Sequence, residues 1–159
     1  LKQNYFNMPT GKVEFISIRT ARRGNVQAVQ SVTANEENGL NGDHYSSKSG
    51  KRQVTLIQAE HLPVVASLLK KAQIDPILTR RNIVVSGINL LALDGKQFQI
   101  GQAILEMTGP CEPCERMEEN LGPGGLDAMQ GHGGITAKVI RGGIINIGDD
   151  VAPLPKTTP

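Results

Sequence analysis

Asp94-Gly-Lys-Gln-Phe-Gln-Ile-Gly-Gln-Ala-Ile-Leu-Glu-Met107 holds two short apolar-rich runs, residues 97–100 and 103–107, set apart by Gly101. Asp94-Gly95 ahead of them reads as a hairpin turn. The same grammar of short runs and turns continues in both directions. Towards the N-terminus lie runs at 83–85, 53–57, 26–32 and 13–18; the basic turn Arg22-Arg23-Gly24 separates the last two, and residues 36–50 form a polar loop. Towards the C-terminus, 136–140 and 144–147 read as a hairpin turned at Gly142-Gly143. One helix is expected over 60–71, with Leu62, Val65, Ala66 and Leu69 on one face and Pro63 in its first turn. A second, short helix is expected over 113–120, followed by a glycine-rich loop over 122–134. Many short strands with few helices predict a mainly β domain, a closed or partly closed barrel.

Composition agrees. The chain has 159 residues, enough for one core, and only 3% are aromatic, so Val, Ile, Leu and Ala must fill that core. A single domain is expected over 11–151, with residues 152–159 a disordered tail lacking any core pattern. The formal charge of +2 and the absence of an aromatic-basic stripe argue against a nucleic-acid partner. No apolar run approaches the roughly 18 residues a membrane span requires. With no signal-peptide pattern, the expected location is the cytoplasm.

Thr108-Gly-Pro-Cys-Glu-Pro-Cys-Glu-Arg116 carries the only two cysteines, Cys111 and Cys114. A strand ends, Gly109 and Pro110 turn the chain, and Cys114 falls near the first turn of a helix. Orphan backbone N–H groups there favour a thiolate, as does Arg116, while Glu112 and Glu115 oppose it. The spacing of the pair supports chemistry and plain packing equally. A zinc site from Cys111, Cys114, His132 and His44 has suitable ligand types but no second close pair. A thioredoxin-like reading fits strand-CxxC-helix, yet here the motif comes late, after β-hairpins.

Arg80-Arg81-Asn82 stands at the entry of an apolar strand, where paired guanidinium donors suit an oxyanion or a solvated turn. Gly122-Pro-Gly-Gly and Gly131-His-Gly-Gly, the latter ending in Gly133 and Gly134, offer backbone N–H groups to an anion or simply flexibility. Asp43, His44 and Tyr45 share a loop, and Lys51-Arg52 leads into the strand at Gln53. Asp43 is suited to holding that loop through its own backbone.

Taken in order, these stretches resemble the MOSC domain, the module named after the C-terminal part of molybdenum cofactor sulfurase. The resemblance rests on residues 39–44 (Gly-Leu-Asn-Gly-Asp-His), 52–57 (Arg-Gln-Val-Thr-Leu-Ile) and 80–87 (Arg-Arg-Asn-Ile-Val-Val-Ser-Gly), then 109–114 (Gly-Pro-Cys-Glu-Pro-Cys) and the run 133–149. It implies a stand-alone member with a β-barrel of the MOSC, pyruvate-kinase-barrel-like kind. It implies molybdenum cofactor (molybdopterin) as ligand, and a reactive cysteine at Cys114 that ligates molybdenum or carries sulfur as a persulfide. Arg80 and Asn82 match the part of the site associated with the pterin phosphate, with Arg81, Lys51, Arg52, His44, Gly133 and Gly134 as companions. Cys111 is a departure that could resolve a persulfide into a disulfide or merely fill space. The chain is not expected to contain a pyridoxal-phosphate desulfurase domain or a ferredoxin domain. The expectation is therefore a reductase component for N-hydroxylated compounds, served by a separate electron-transfer reductase. The alternatives are a sulfur carrier served by a cysteine desulfurase, or a non-catalytic binding domain.

Overall fold

The computed structural model describes residues 10–44 and 50–155. Among the described residues, eleven strands and three α-helices follow in chain order. The strands are β1 (Gly11–Arg19), β2 (Val26–Val29), β3 (Ser31–Asn35), β4 (Gly39–Leu40), β5 (Val54–Gln58), β6 (Ile83–Ser86), β7 (Gln97–Ile100), β8 (Ala103–Pro110), β9 (Ile135–Arg141), β10 (Gly143–Asn146) and β11 (Asp150–Pro153). The helices are α1 (His61–Leu68), α2 (Glu115–Leu121) and α3 (Gly125–Met129).

Seven strands close into a barrel in the order β1-β6-β5-β9-β8-β7-β11 and back to β1, where Gly11 pairs with Val151. Closure removes the exposed edges an open sheet would present. Neighbours are antiparallel except β5 and β6, which run parallel because the chain crosses between them through α1. β2 extends the sheet beside β1, and β10, β3 and β4 form a separate three-stranded sheet.

Period-two patterning fills the barrel: Ala103, Leu105 and Met107 of β8, and Ile135, Ala137 and Val139 of β9, all point into one core. β5 and β6 are apolar on both faces. Leu56, Ile83 and Val85 join the barrel core, while Ile57 and Val84 join an outer cluster with Val65, Ala66, Met117, Leu121, Ala128 and Met129 of the helices. A bulge between Val13 and Phe15 lets β1 serve both layers, with Val13 and Ile16 inside and Phe15 packed against the helices. Each aliphatic side chain so buried contributes about 1.5–3 kcal/mol.

The expected helix over 60–71 is observed as α1, and Val65 and Ala66 are its buried residues. Four local expectations give way to longer-range contacts. Asp94-Gly95 does not turn a hairpin: residues Leu90–Leu93 form a 3-10 turn capped by Asn89, whose side chain accepts from the Leu91 N–H at 3.2 Å. The i, i+3 pair Leu90 and Leu93 is buried in that turn. β9 and β10 likewise form no hairpin, because β10 pairs with β3. Gly142 and Gly143 serve close approach instead, since a Cβ on Gly143 would stand 2.5 Å from the Gln102 carbonyl. The loop over 122–134 contains α3, and the Glu118 carboxylate on α2 accepts from the Gly124 N–H at 2.9 Å just ahead of it. Lastly, β11 pairs through Pro153 with Phe98, and the Leu154 N–H bonds Gln97, so chain order extends past residue 152. Residues 156–159 of the expected tail lie outside the described residues.

Among the described residues, no helix is long and apolar enough to cross a membrane.

Candidate functional site

Where the C-terminal end of β1 meets the starts of β5, β6 and α2, the structure leaves a cavity of about 210 Å³. Its residues come from five separate stretches of chain, brought together by barrel closure.

The first wall is the entry to β6. A 3-10 turn, Pro76–Thr79, ends at Arg80, which adopts a left-handed backbone with φ 60°. For a residue with a Cβ this costs roughly 1–2 kcal/mol. The twist separates two adjacent arginines. Arg80 lines the cavity and is half-buried. Arg81 is 3% exposed: its Nε donates to the Gly133 carbonyl at 2.7 Å, Nη1 to Thr79 at 3.2 Å and Nη2 to Cys111 at 3.4 Å. Arg81 thus straps the cysteine loop and the 131–134 segment to β6.

Asn82 performs a similar task across the sheet. Its Oδ1 accepts from the Thr55 N–H (2.9 Å) and its Nδ2 donates to the Ser17 carbonyl (3.2 Å), joining β6 to β5 and β1. Ser17 answers with a bond from Oγ to the Arg81 carbonyl (2.9 Å). Thr55 and Ser17 line the cavity beside Asn82. Buried polar groups so fully engaged give a fixed surface.

Cys114 opens the second wall. It is the N-cap of α2 with an extended backbone, its side chain makes no capping bond, and its thiol is exposed at the cavity. Cys111, three residues earlier, is 2% exposed and is not among the lining residues. Its N–H donates to the Gly134 carbonyl at 2.8 Å, and both thiols are free. Arg116 of α2 also lines the cavity and pairs with Glu119 at 3.7 Å.

The third side is the end of β1, which contributes Arg19, and the turn from β1 to β2, which contributes Arg22 and Arg23. Arg23 has φ 61°, a second left-handed arginine at the same cavity. Arg52, just before β5, completes the basic lining. Asp43 is the single carboxylate among the described lining residues; its Oδ1 accepts from the Arg19 backbone N–H at 2.9 Å, so it holds its loop to β1.

Of the residues singled out from sequence, Cys114, Arg80, Arg81, Asn82 and Arg52 come together here. Lys51, His44, Gly133, Gly134 and Cys111 are not among the lining residues. The His44 N–H bonds the Arg19 carbonyl and the Lys51 carbonyl accepts from the Thr108 hydroxyl, so both brace the backbone nearby. Gly134 has φ 86°, and a Cβ there would fall 1.9 Å from the Leu56 carbonyl. It is glycine because β5 passes so close. Sequence reading missed the part played by Arg19, Arg22 and Arg23. The basic turn at Arg22 and Arg23 was visible, but not the cavity towards which barrel closure brings it.

An accessible thiol beside an excess of guanidinium groups can bind an anion and present sulfur to it. Comparisons agree with this chain's architecture. The YuaD protein from Bacillus subtilis superposes with a TM-score of 0.78 at 21% identity, over 91% of this chain and 96% of that one. YiiM from Geobacillus stearothermophilus gives 0.75 at 14% identity, over 91% and 75%. YiiM from Escherichia coli gives 0.68 at 18% identity, over 93% and 72%. At these identities the likeness concerns the fold. No curated protein matches the sequence. The profile of the MOSC domain matches residues 22–152, which takes in every residue of the cavity except the end of β1, and the chain therefore belongs to the MOSC domain family.

Proposed function

We propose that this protein binds a molybdenum cofactor in the arginine-lined cavity, with the Cys114 sulfur as ligand to the metal. The observation that carries the proposal is the meeting of one exposed thiol with a fixed basic wall in a single cavity. The donor set suits the group, since molybdenum accepts thiolate and a pterin phosphate calls for forked cationic donors. Among the described residues no group of three or more His, Cys, Asp or Glu is placed to hold a metal ion. Cys114 would therefore be the protein's ligand to a metal that arrives with its own organic partner.

Arg80 and Arg52 would hold the phosphate. Arg81 and Asn82, committed to cross-strand bonds, would keep that wall and the cysteine loop in register. When bound, the cofactor would supply redox chemistry at molybdenum. Such a protein fits the terminal component of a reductase for N-hydroxylated compounds, fed by a separate electron-transfer reductase. A second reading, sulfur carriage, is favoured by the exposure of Cys114, which a cysteine desulfurase could reach to leave a persulfide.

The test is molybdenum and pterin content per chain after anaerobic purification from a cofactor-producing host, for wild type and Cys114→Ala. Near-stoichiometric metal in the wild type and its loss in the variant is the expected result. Metal retained equally by Cys114→Ala would remove the ligand role. Metal in neither, with a loaded control protein from the same host and a persulfide on Cys114 by mass spectrometry, would favour the carrier.

A further inference from the structure

We propose that the cavity takes a ligand with two anionic groups, of the diphosphate class, and that Arg22 and Arg23 hold the second one. The inference rests on the cavity being the anion site of a cofactor, and goes beyond it by stating how much negative charge that ligand carries.

Charge is the first argument. Setting Arg116 aside for its pair with Glu119, six described arginines line the cavity against one carboxylate, Asp43, an excess of five positive charges. Residues 1–9, 45–49 and 156–159 contain neither Asp nor Glu. A phosphate monoester brings about two negative charges at neutral pH. One such group leaves most of the excess repelling itself at close quarters, whereas a diphosphate brings another charge and more acceptor oxygens for forked donors.

Geometry is the second. The arginines form two sets on different elements: Arg52 and Arg80 at the starts of β5 and β6, and Arg22 and Arg23 at the β1–β2 turn. Among the described residues, Arg22 and Arg23 make no side-chain hydrogen bond or ion pair, so their guanidinium donors are uncommitted. Arg23 holds a left-handed backbone (φ 61°) at a turn position where glycine would sit at lower cost. Strain kept at a ligand-facing residue is a mark of a binding role.

Size is the third. A pocket enclosing a whole drug-sized ligand spans roughly 300–1,000 Å³. At about 210 Å³ this one fits the charged head of a larger molecule, with the remainder outside.

The test is calorimetric titration of the full chain at low ionic strength with inorganic pyrophosphate and, separately, inorganic phosphate. The wild type is expected to prefer pyrophosphate by about tenfold or more. The double variant Arg22→Ala/Arg23→Gly, which relieves rather than adds backbone strain, is expected to reduce that ratio to under about threefold while phosphate affinity changes by less than about threefold. Arg141→Ala, on the exposed end of β9, controls for general charge loss and is expected to preserve the preference. Arg80→Gly is expected to weaken both ligands. No preference in the wild type, or a preference that survives in the double variant or vanishes equally in Arg141→Ala, overturns the inference. If phosphate binding still depends on Arg80 in that event, the cofactor-site reading stands without it. Wild type that binds neither anion overturns both. Binding indifferent to Arg80→Gly, with the preference still set by the turn, overturns only the assignment of Arg80.

Discussion

On one side of the cavity Arg81 donates to three carbonyls, of Gly133, Thr79 and Cys111, while Asn82 ties β6 to β5 and β1. On the other, Arg22 and Arg23 ride on a turn closed by one backbone bond, from the Gly24 N–H to the Ala21 carbonyl at 2.9 Å. The two sides meet the same space with the same residue type, yet one is woven into three strands and the other is not. A metal ligand needs a fixed direction, and the loop carrying Cys114 is strapped to the woven side through Cys111. Charge compensation needs only a cation within reach, which a turn can supply.

Breaking the woven side should have the largest effect. Arg81→Ala leaves three carbonyls without their donor in a site that is 3% exposed. Denaturant unfolding is expected to show a loss of roughly 2–4 kcal/mol. The exposed Arg22→Ala should stay within about 0.5 kcal/mol of wild type. Similar losses for the two variants would dissolve the distinction between the walls.

That distinction also marks how far the sequence could be read. Period-two runs separated by glycines suffice for a β-barrel, and the turn-then-helix pattern after Met107 suffices to bring Cys114 to a helix start. What could not be read depends on partners far away in the chain. Both Arg80 and Arg81 line the cavity, but that Arg81 is the one bonded to three carbonyls goes with the left-handed backbone at Arg80, a conformation that local propensity does not favour. The glycines at 133–134 invited an anion-binding reading, yet Gly134 answers to the proximity of Leu56, 78 positions earlier. The helix α3 follows a glycine whose N–H bonds Glu118 of α2, so no pattern within its own five residues announces it. β10 pairs with β3 because the glycine pair lets the chain pass close by the Gln102 backbone, a contact invisible in a local turn signal.

The two cysteines repeat the comparison at smaller scale. Cys111→Ala removes a sulfur from a 2% exposed position and is expected to cost about 1–2 kcal/mol. Cys114→Ala removes an exposed thiol with no capping bond and is expected to change stability by less than about 0.5 kcal/mol. Thermal melts of both variants check the order. A larger loss at Cys114 would make it the structural residue of the pair and weaken its candidacy as a ligand.

The smallest effect concerns how the woven side responds to acid. His61, at the start of α1, meets His132 edge-on with ring centroids 5.1 Å apart, and the His132 ring nitrogen lies 3.1 Å from the Ala128 carbonyl. His132 immediately precedes Gly133, whose carbonyl Arg81 holds. Partial burial, and then the proximity of His132, lower the His61 pKa below its ordinary 6.5, while Glu60 pulls the other way. A lowered value means the unfolded chain takes up the proton first as pH falls. The stability linked to neutral His61 is therefore present above pH 6.5 and is lost as pH drops through that value towards the lowered one. Because His61 remains half exposed, solvent screens the effect and the slope should be shallow. Unfolding free energy measured from pH 7.5 to 5, an interval chosen to span about one pH unit or more on either side of the ordinary histidine value, should fall more steeply in wild type than in His61→Gln. Equal slopes would show that the histidine contact plays no part in holding the 131–134 segment against the cysteine loop.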